Sequence, residues 1–409
     1  MYLYPIFAAC LVLVSCKTDK AGEQPLEVIP VGTAFDNRGD ELKASDCFRK
    51  IRYVALETTD SCLVGNNVSV QILNDWIVMY SGKDRCQLFD KKTGRFIRSI
   101  GHSGDDPEAY STVHGGWADP YTEKLIFPGH GTGNMVIYRA DGLFDDIWKP
   151  AVTPTAFPAV TVFDYCDSEQ TVGYYPATDS LPARMIFFRA GEVAGEHAFR
   201  QNGTGDRAIG PDEIESISVL KSGRSMFSLT RDKKGNTYVT PLGNCYFWHY
   251  DDRLCFHQPY NDTLYAVSAD RQLQPTKRVD LGTYGLAYEK RFEEKKDGIF
   301  LSDFMENKEI ILFHFITNHF ADTYNAFYRK ADKTVKVAPY DKKFTDDING
   351  FLPLQPLSVS SAGEFAAFLS ADEIVSWFEE NAGRENVPEE VAALKKVKEE
   401  DNPVIAIME

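Results

Sequence analysis

The chain has 409 residues, 43% hydrophobic and 13% aromatic, which is more than one ordinary core needs, so it forms several domains or one repeat-built domain. Its 44 Lys and Arg against 60 Asp and Glu leave a net charge of −16. That balance argues against a nucleic-acid partner, which needs a concentrated basic surface, and makes the chain soluble and repelled by anionic membranes.

The first segment, MYLYPIFAACLVLVS at 1–15, carries no charge and holds an apolar run too short to span a bilayer, as an export signal does. It ends at Leu13, Val14, Ser15 and Cys16, which resembles a bacterial lipobox whose cysteine takes a diacylglycerol. The first positive charge, Lys17, follows the cleavage point. Residues 16–50 then read as a lipidated segment and linker, with membrane contact through the lipid anchor only. The expected location is the outer membrane, on its periplasmic or cell-surface side.

From residue 51 the chain repeats itself. FDKKTGRFIRSIG at 89–101 reads as strand, polar turn and strand. The same form returns in VIYRADGLFDDIW at 136–148, IFFRAGEVAGEHAF at 186–199, LYAVSADRQLQPTKRVDLG at 264–282 and FYRKADKTVKVAPY at 327–340. Upstream of these hairpins sit shorter β-rich runs: NDWIVMYS from 74, TEKLIFPG from 122, KGNTYVTP from 234, KEIILFHF from 308 and AGEFAAFLS from 362. Successive copies start about 50 residues apart at first and about 60 to 80 later, near or above the length of a four-stranded propeller blade. A lone sheet with two partly apolar faces cannot bury itself, whereas a ring of sheets covers each face with its neighbour. The expectation is an all-β, six-bladed β-propeller over 51–370, with RYVALE at 52–57 lending a strand to the last blade and hiding two edges.

Residues 371–409 read as C-terminal helices and a tail packed on the propeller. Ser370 and Glu373 fit a capping box, and Pro388 opens PEEVAALKKVKEED. A weaker helical signal runs from about Tyr284 to Lys296.

Chemical motifs are scarce. No C-x-x-C, H-E-x-x-H or G-x-S-x-G occurs, so no catalytic set and no metal ligands are assigned. GHGTGN at 129–134 is followed by a strand and reads as a turn. Cys245 and Cys255 flank a polar centre and could form a disulfide across a hairpin, and His249 and His257 lie on its two arms. Aromatics cluster near expected loops, and the binding candidates are Tyr110, His114, Trp117 and Tyr121.

RSIGHSGDDPEAY at 98–110, RYVALETT at 52–59, PYNDTLYAV at 259–267, DDINGFLP at 346–353 and EEDNPV at 399–404 together resemble the six-bladed β-propeller lipoproteins of Bacteroidetes, described as TolB-like or NHL-like. The resemblance covers essentially the whole mature chain and implies a surface or periplasmic lipoprotein with a binding role. The expected function is an envelope lipoprotein that offers one face of the ring to a glycan, a peptide or an envelope protein, with no cofactor. The alternative is a lactonase-like or NHL-like hydrolase or lyase with calcium on the central axis.

Overall fold

A computed structural model describes residues 25–409 apart from 66–67, 132, 155–160, 178–180, 200–210, 223–224, 242–245, 287–297 and 318–321. The signal segment and Cys16 lie outside the described residues.

The chain forms a six-bladed β-propeller. Blade 1 is Ser69–Leu73, Trp76–Ser81, Arg85–Asp90 and Phe96–Ser99, and blade 2 is Trp117–Ala118, Lys124–Pro128, Met135–Arg139 and Phe144–Trp148. Blade 3 is Val162–Tyr165, Gln170–Tyr175, Arg184–Arg189 and Glu192–Ala198; blade 4 is Phe247–Tyr250, Arg253–His257, Thr263–Val267 and Leu273–Val279. Blade 5 is Phe300–Glu306, Ile310–Thr317, Asp322–Arg329 and Thr334–Pro339. Each expected hairpin supplies the two outer strands of one of these blades.

The ring closes because every blade face is apolar and finds a neighbour. Tyr80 and Leu88 of blade 1 pack with Phe127 of blade 2, and Ile126 and Ile137 of blade 2 pack with Phe163 and Phe188 of blade 3. Tyr174 meets Phe256 across blades 3 and 4, Trp248 meets Phe304 across blades 4 and 5, and Leu312 meets Phe365 across blades 5 and 6. Ile405 and Ile407 of blade 6 return to Ile77 and Phe89 of blade 1. Burying each such side chain contributes about 1.5–3 kcal/mol, so a blade without its neighbours would forfeit most of its stabilisation.

Blade 6 differs from the expected layout. Its strands, from the axis outward, are Ser358–Val359, Phe365–Leu369, Val404–Met408 and Ile51–Ala55. The expected N-terminal strand is therefore outermost, but it pairs with the far end of the chain, Ile51 opposite Met408 and Ala55 opposite Val404. Residues 371–409 are thus an insertion followed by a blade strand, not a terminal cover. All five residues of Val404–Met408 are buried, so its backbone needs a hydrogen-bonding neighbour on each edge. Within the insertion, α1 spans Ala371–Glu380, with the Ser370 hydroxyl donating to Glu373 Oε2 at 2.8 Å. The next helix is short: Glu389–Ala392 tightens into a 3-10 turn, Ala393–Lys396, and Val397 is extended. The signal at Tyr284–Lys296 falls mostly outside the described residues.

Residues 27–50 are not a linker either. Glu27–Ile29 adds a parallel fifth strand to blade 4, beside Lys277–Val279. The short helix Val31–Asp36 then sinks Phe35 against Tyr284, Phe315 and Tyr324. Gly32 permits the approach, because a Cβ there would lie 2.5 Å from the Leu281 carbonyl oxygen.

KGNTYVTP belongs to no blade. It ends a separate three-stranded sheet, Ile214–Ser222, Ser225–Asp232 and Thr237–Pro241, inserted between blades 3 and 4. That sheet accounts for the longest gap between repeats.

The Asp251–Asp252 turn fixes the register of its hairpin, with both residues at positive φ of 54°. Trp248 therefore stands opposite Cys255, whose thiol is free and buried. The expected partner Cys245 lies outside the described residues. His249 faces blade 3 while His257 faces Phe304 of blade 5, so the two imidazoles lie on opposite faces of the blade.

Candidate functional site

The ring has two unlike ends. One carries short turns, which join the first strand to the second in each blade and the third to the fourth in blades 1 to 5. The other carries the longer connections, including the inserted sheet and the 370–403 insertion. Loops held by a rigid scaffold are the usual place for binding, so both ends bear on function.

The four expected binding residues do not form one surface. Tyr110 is buried, its ring 4.9 Å from Phe127 and its hydroxyl donating to the Asp84 carbonyl at 2.8 Å. Trp117 is also buried and stacks on Phe163 across the blade 2–3 interface. These two aromatics are packing, as the shape of a blade interface requires. His114 is exposed at the end with long connections, and Tyr121 sits in a turn at the other end. The stretch 114–121 runs from one end of blade 2 to the other, so neighbours in sequence are separated in space.

Tyr121 joins a cluster at the short-turn end. Asp119 builds the turn: its buried carboxylate accepts the Tyr121 amide at 2.8 Å and the Thr122 hydroxyl. The Tyr121 ring meets His249 of blade 4, with centroids 5.8 Å apart and planes at 74°. His249 Nε2 in turn donates to Asp164 Oδ1 of blade 3 at 3.0 Å. Side chains from three successive blades therefore converge where the inner strands draw together.

The Tyr121 hydroxyl is out of solvent yet has no hydrogen-bond partner among the described residues. An unsatisfied buried donor costs about 1–3 kcal/mol and calls for an explanation. Burial, followed by the charge of Asp164, pushes this hydroxyl well above the ordinary tyrosine range, and burial likewise raises Asp119. Tyr121 thus remains a protonated donor at physiological pH, beside a carboxylate–imidazole pair able to hold a polar group. Among the described residues, no group of three or more His, Cys, Asp and Glu side chains is arranged to hold a metal ion.

Sequence reasoning singled out Tyr121 but missed Asp119 and Asp164, and it set His249 against the wrong partner. The available signal was an Asp and a His interrupting the apolar inner strands VFDY and FWHY.

Beside this cluster lies a buried ionic group. Glu306 accepts from Trp248 Nε1 at 3.1 Å and pairs with Lys330 Nζ at 2.7 Å, and the same ammonium lies 3.8 Å from the Tyr250 ring centroid. The paired geometry compensates the desolvation of Glu306. It holds blades 4 and 5 in register.

Comparison with known proteins gives a family and a fold. Residues 26–409 match a family model described as a domain of unknown function, DUF4934. A Bacteroides fragilis protein provisionally described as exported has the same fold, at 15% identity and a TM-score of 0.63, over 93% of this chain and 99% of that one. A member of the DUF4221 family from Bacteroides vulgatus aligns at 9% identity and a TM-score of 0.43, over 88% of this chain and 96% of that one. The chain has no match among curated proteins.

Proposed function

The chain belongs to the DUF4934 family, and we propose that it is an exported lipoprotein that binds a ligand at the short-turn end of its ring. The observation that carries the binding reading is the convergence of Tyr121, Asp164 and His249 from three blades, with the Tyr121 hydroxyl unsatisfied. A ligand carbonyl or hydroxyl would accept that hydrogen bond, and the rigid ring would hold the three groups in place without reorganisation. The ligand classes are a glycan, a peptide or an envelope protein. Export and anchoring through Cys16 rest on the uncharged apolar leader and the Leu13–Cys16 sequence, and are in keeping with the Bacteroides fragilis neighbour. The metal-dependent hydrolase or lyase reading is not favoured, because the axial carboxylates already serve the turn amides and His249.

Calorimetric titration with envelope glycans and peptides tests the reading. One class should bind saturably, and Tyr121→Phe and His249→Ala should each weaken it at least tenfold at an unchanged melting temperature. Variants that bind as tightly as the parent would rule this site out.

A further inference from the structure

The short-turn end also carries two hollows of about 600 and 580 Å³, the size of small-ligand sites. They share Arg49, Lys308 and Glu309, and the Arg49–Glu309 ion pair, Nη2 to Oε1 at 2.6 Å, stands between them. The larger hollow lies where residues 45–49 cross the turns of blade 5. Its walls set Arg49, Lys308, Arg329 and Lys330 against Asp46 and Glu309. In a chain of net charge −16 this hollow is a local reversal of sign, whereas the other sets Arg49, Lys50 and Lys308 against Asp251, Glu309, Glu364 and Glu409 and is acidic.

The four cations are not equivalent. Lys330 is committed to buried Glu306, and Arg329 is forked on Asp332 while also facing Asp46. Among the described residues, the side chain of Arg49, 80% exposed, is held only by Glu309, and exposed Lys308 has no ion pair. Exposed pairs such as Arg49–Glu309 are weak, so an incoming oxyanion can take Glu309's place at little cost. Arginine's planar fork binds carboxylate, sulfate and phosphate alike in two-point fashion.

We propose that the hollow between residues 45–49 and the turns of blade 5 is a site for a small organic ligand bearing a carboxylate, sulfate or phosphate group, gripped by Arg49 and Lys308, with Arg329 and Lys330 also in its wall. The proposal is independent of the axial cluster, which contains none of these residues.

The test uses the full-length chain and calorimetric titration at low salt with glucuronate, galactose 6-sulfate and glucose 6-phosphate, and with glucose as the uncharged control. At least one anion should bind saturably, glucose should not, and the preferred anion identifies the oxyanion. Arg49→Gln with Lys308→Gln should weaken that binding at least tenfold, and Lys149→Gln, exposed beyond the outer strand of blade 2, should leave it unchanged. Lys308→Gln alone disturbs no ion pair, and it should still weaken binding at least threefold at an unaltered melting temperature. Absence of saturable binding by all three anions, or equal affinity in the Lys308 variant, overturns the proposal.

Discussion

Tyr53 on the outermost strand of blade 6 donates its hydroxyl hydrogen to Asp346 Oδ2 at 2.5 Å, across 293 residues of sequence. The same buried carboxylate accepts the amides of Ile348, Asn349 and Phe351, so it ties the closing strand to the connection that leads into the blade. Tyr53→Phe removes one charge-assisted bond while sparing the ring's contact with Phe351. The expected loss is about 1–3 kcal/mol in urea unfolding. An unchanged midpoint would show that the three amides suffice.

Gly94 lies in the blade 1 turn at φ +71°, and a Cβ there would stand 2.0 Å from the Ala55 carbonyl oxygen of blade 6. Neither backbone can yield without breaking the ring's seam. Gly94→Ala should therefore cost at least about 1–3 kcal/mol. Gly383 meets nothing within 4 Å, so Gly383→Ala serves as the matched control with a small effect. Equal melting temperatures for the two variants would contradict the close approach.

His257 is buried, with Nε2 bound to the Asn261 carbonyl at 2.8 Å, and burial pushes its pKa down from 6.5 to about 4. The unfolded chain therefore takes up the proton first as pH falls. The contribution to stability is fully present above about pH 6.5 and disappears as pH drops toward 4, on the order of 3 kcal/mol in all. Unfolding free energies at pH 7, 6 and 5 should decline more steeply for the parent than for His257→Gln. Parallel curves would remove His257 from the acid response.

Burial raises the thiol pKa of Cys47, Cys86, Cys166 and Cys255. With so little thiolate, all four should resist maleimide at pH 8 in the native protein and react once unfolded, without added reductant. Peptide mapping reads each site. Labelling of Cys255 only after reduction would instead point to the Cys245–Cys255 disulfide expected from the sequence.

The outer hairpins were legible because Asp, Gly and Thr-Gly turns punctuate alternating strands, and such turns fix their own register. The second strand of blade 3, Gln170–Tyr175, was hidden: all six residues are buried, so it shows no alternation. KGNTYVTP carried the expected alternation and turn but pairs with Ser225–Asp232 in the inserted sheet, a choice made by tertiary contacts. Val404–Met408 read as a tail because its partners lie far away in sequence, and no local rule links residue 408 to residue 51. The convergence of the axial cluster was hidden for the same reason, although Tyr121 and the polar interruptions in VFDY and FWHY were in view. Only the curvature of the ring brings Tyr121, Asp164 and His249 together.

The third strand of blade 6 has a temporal meaning too. Val404–Met408 sits between Phe365–Leu369 and Ile51–Ala55, so the seam stays open until residues 404–408 have been synthesised, long after the strand at 51–55. Blades 1 to 5 can acquire local hairpins earlier, but the chain cannot lock. Rigidity therefore arrives as a single late event, when one short buried strand slots between two others and shuts the circle.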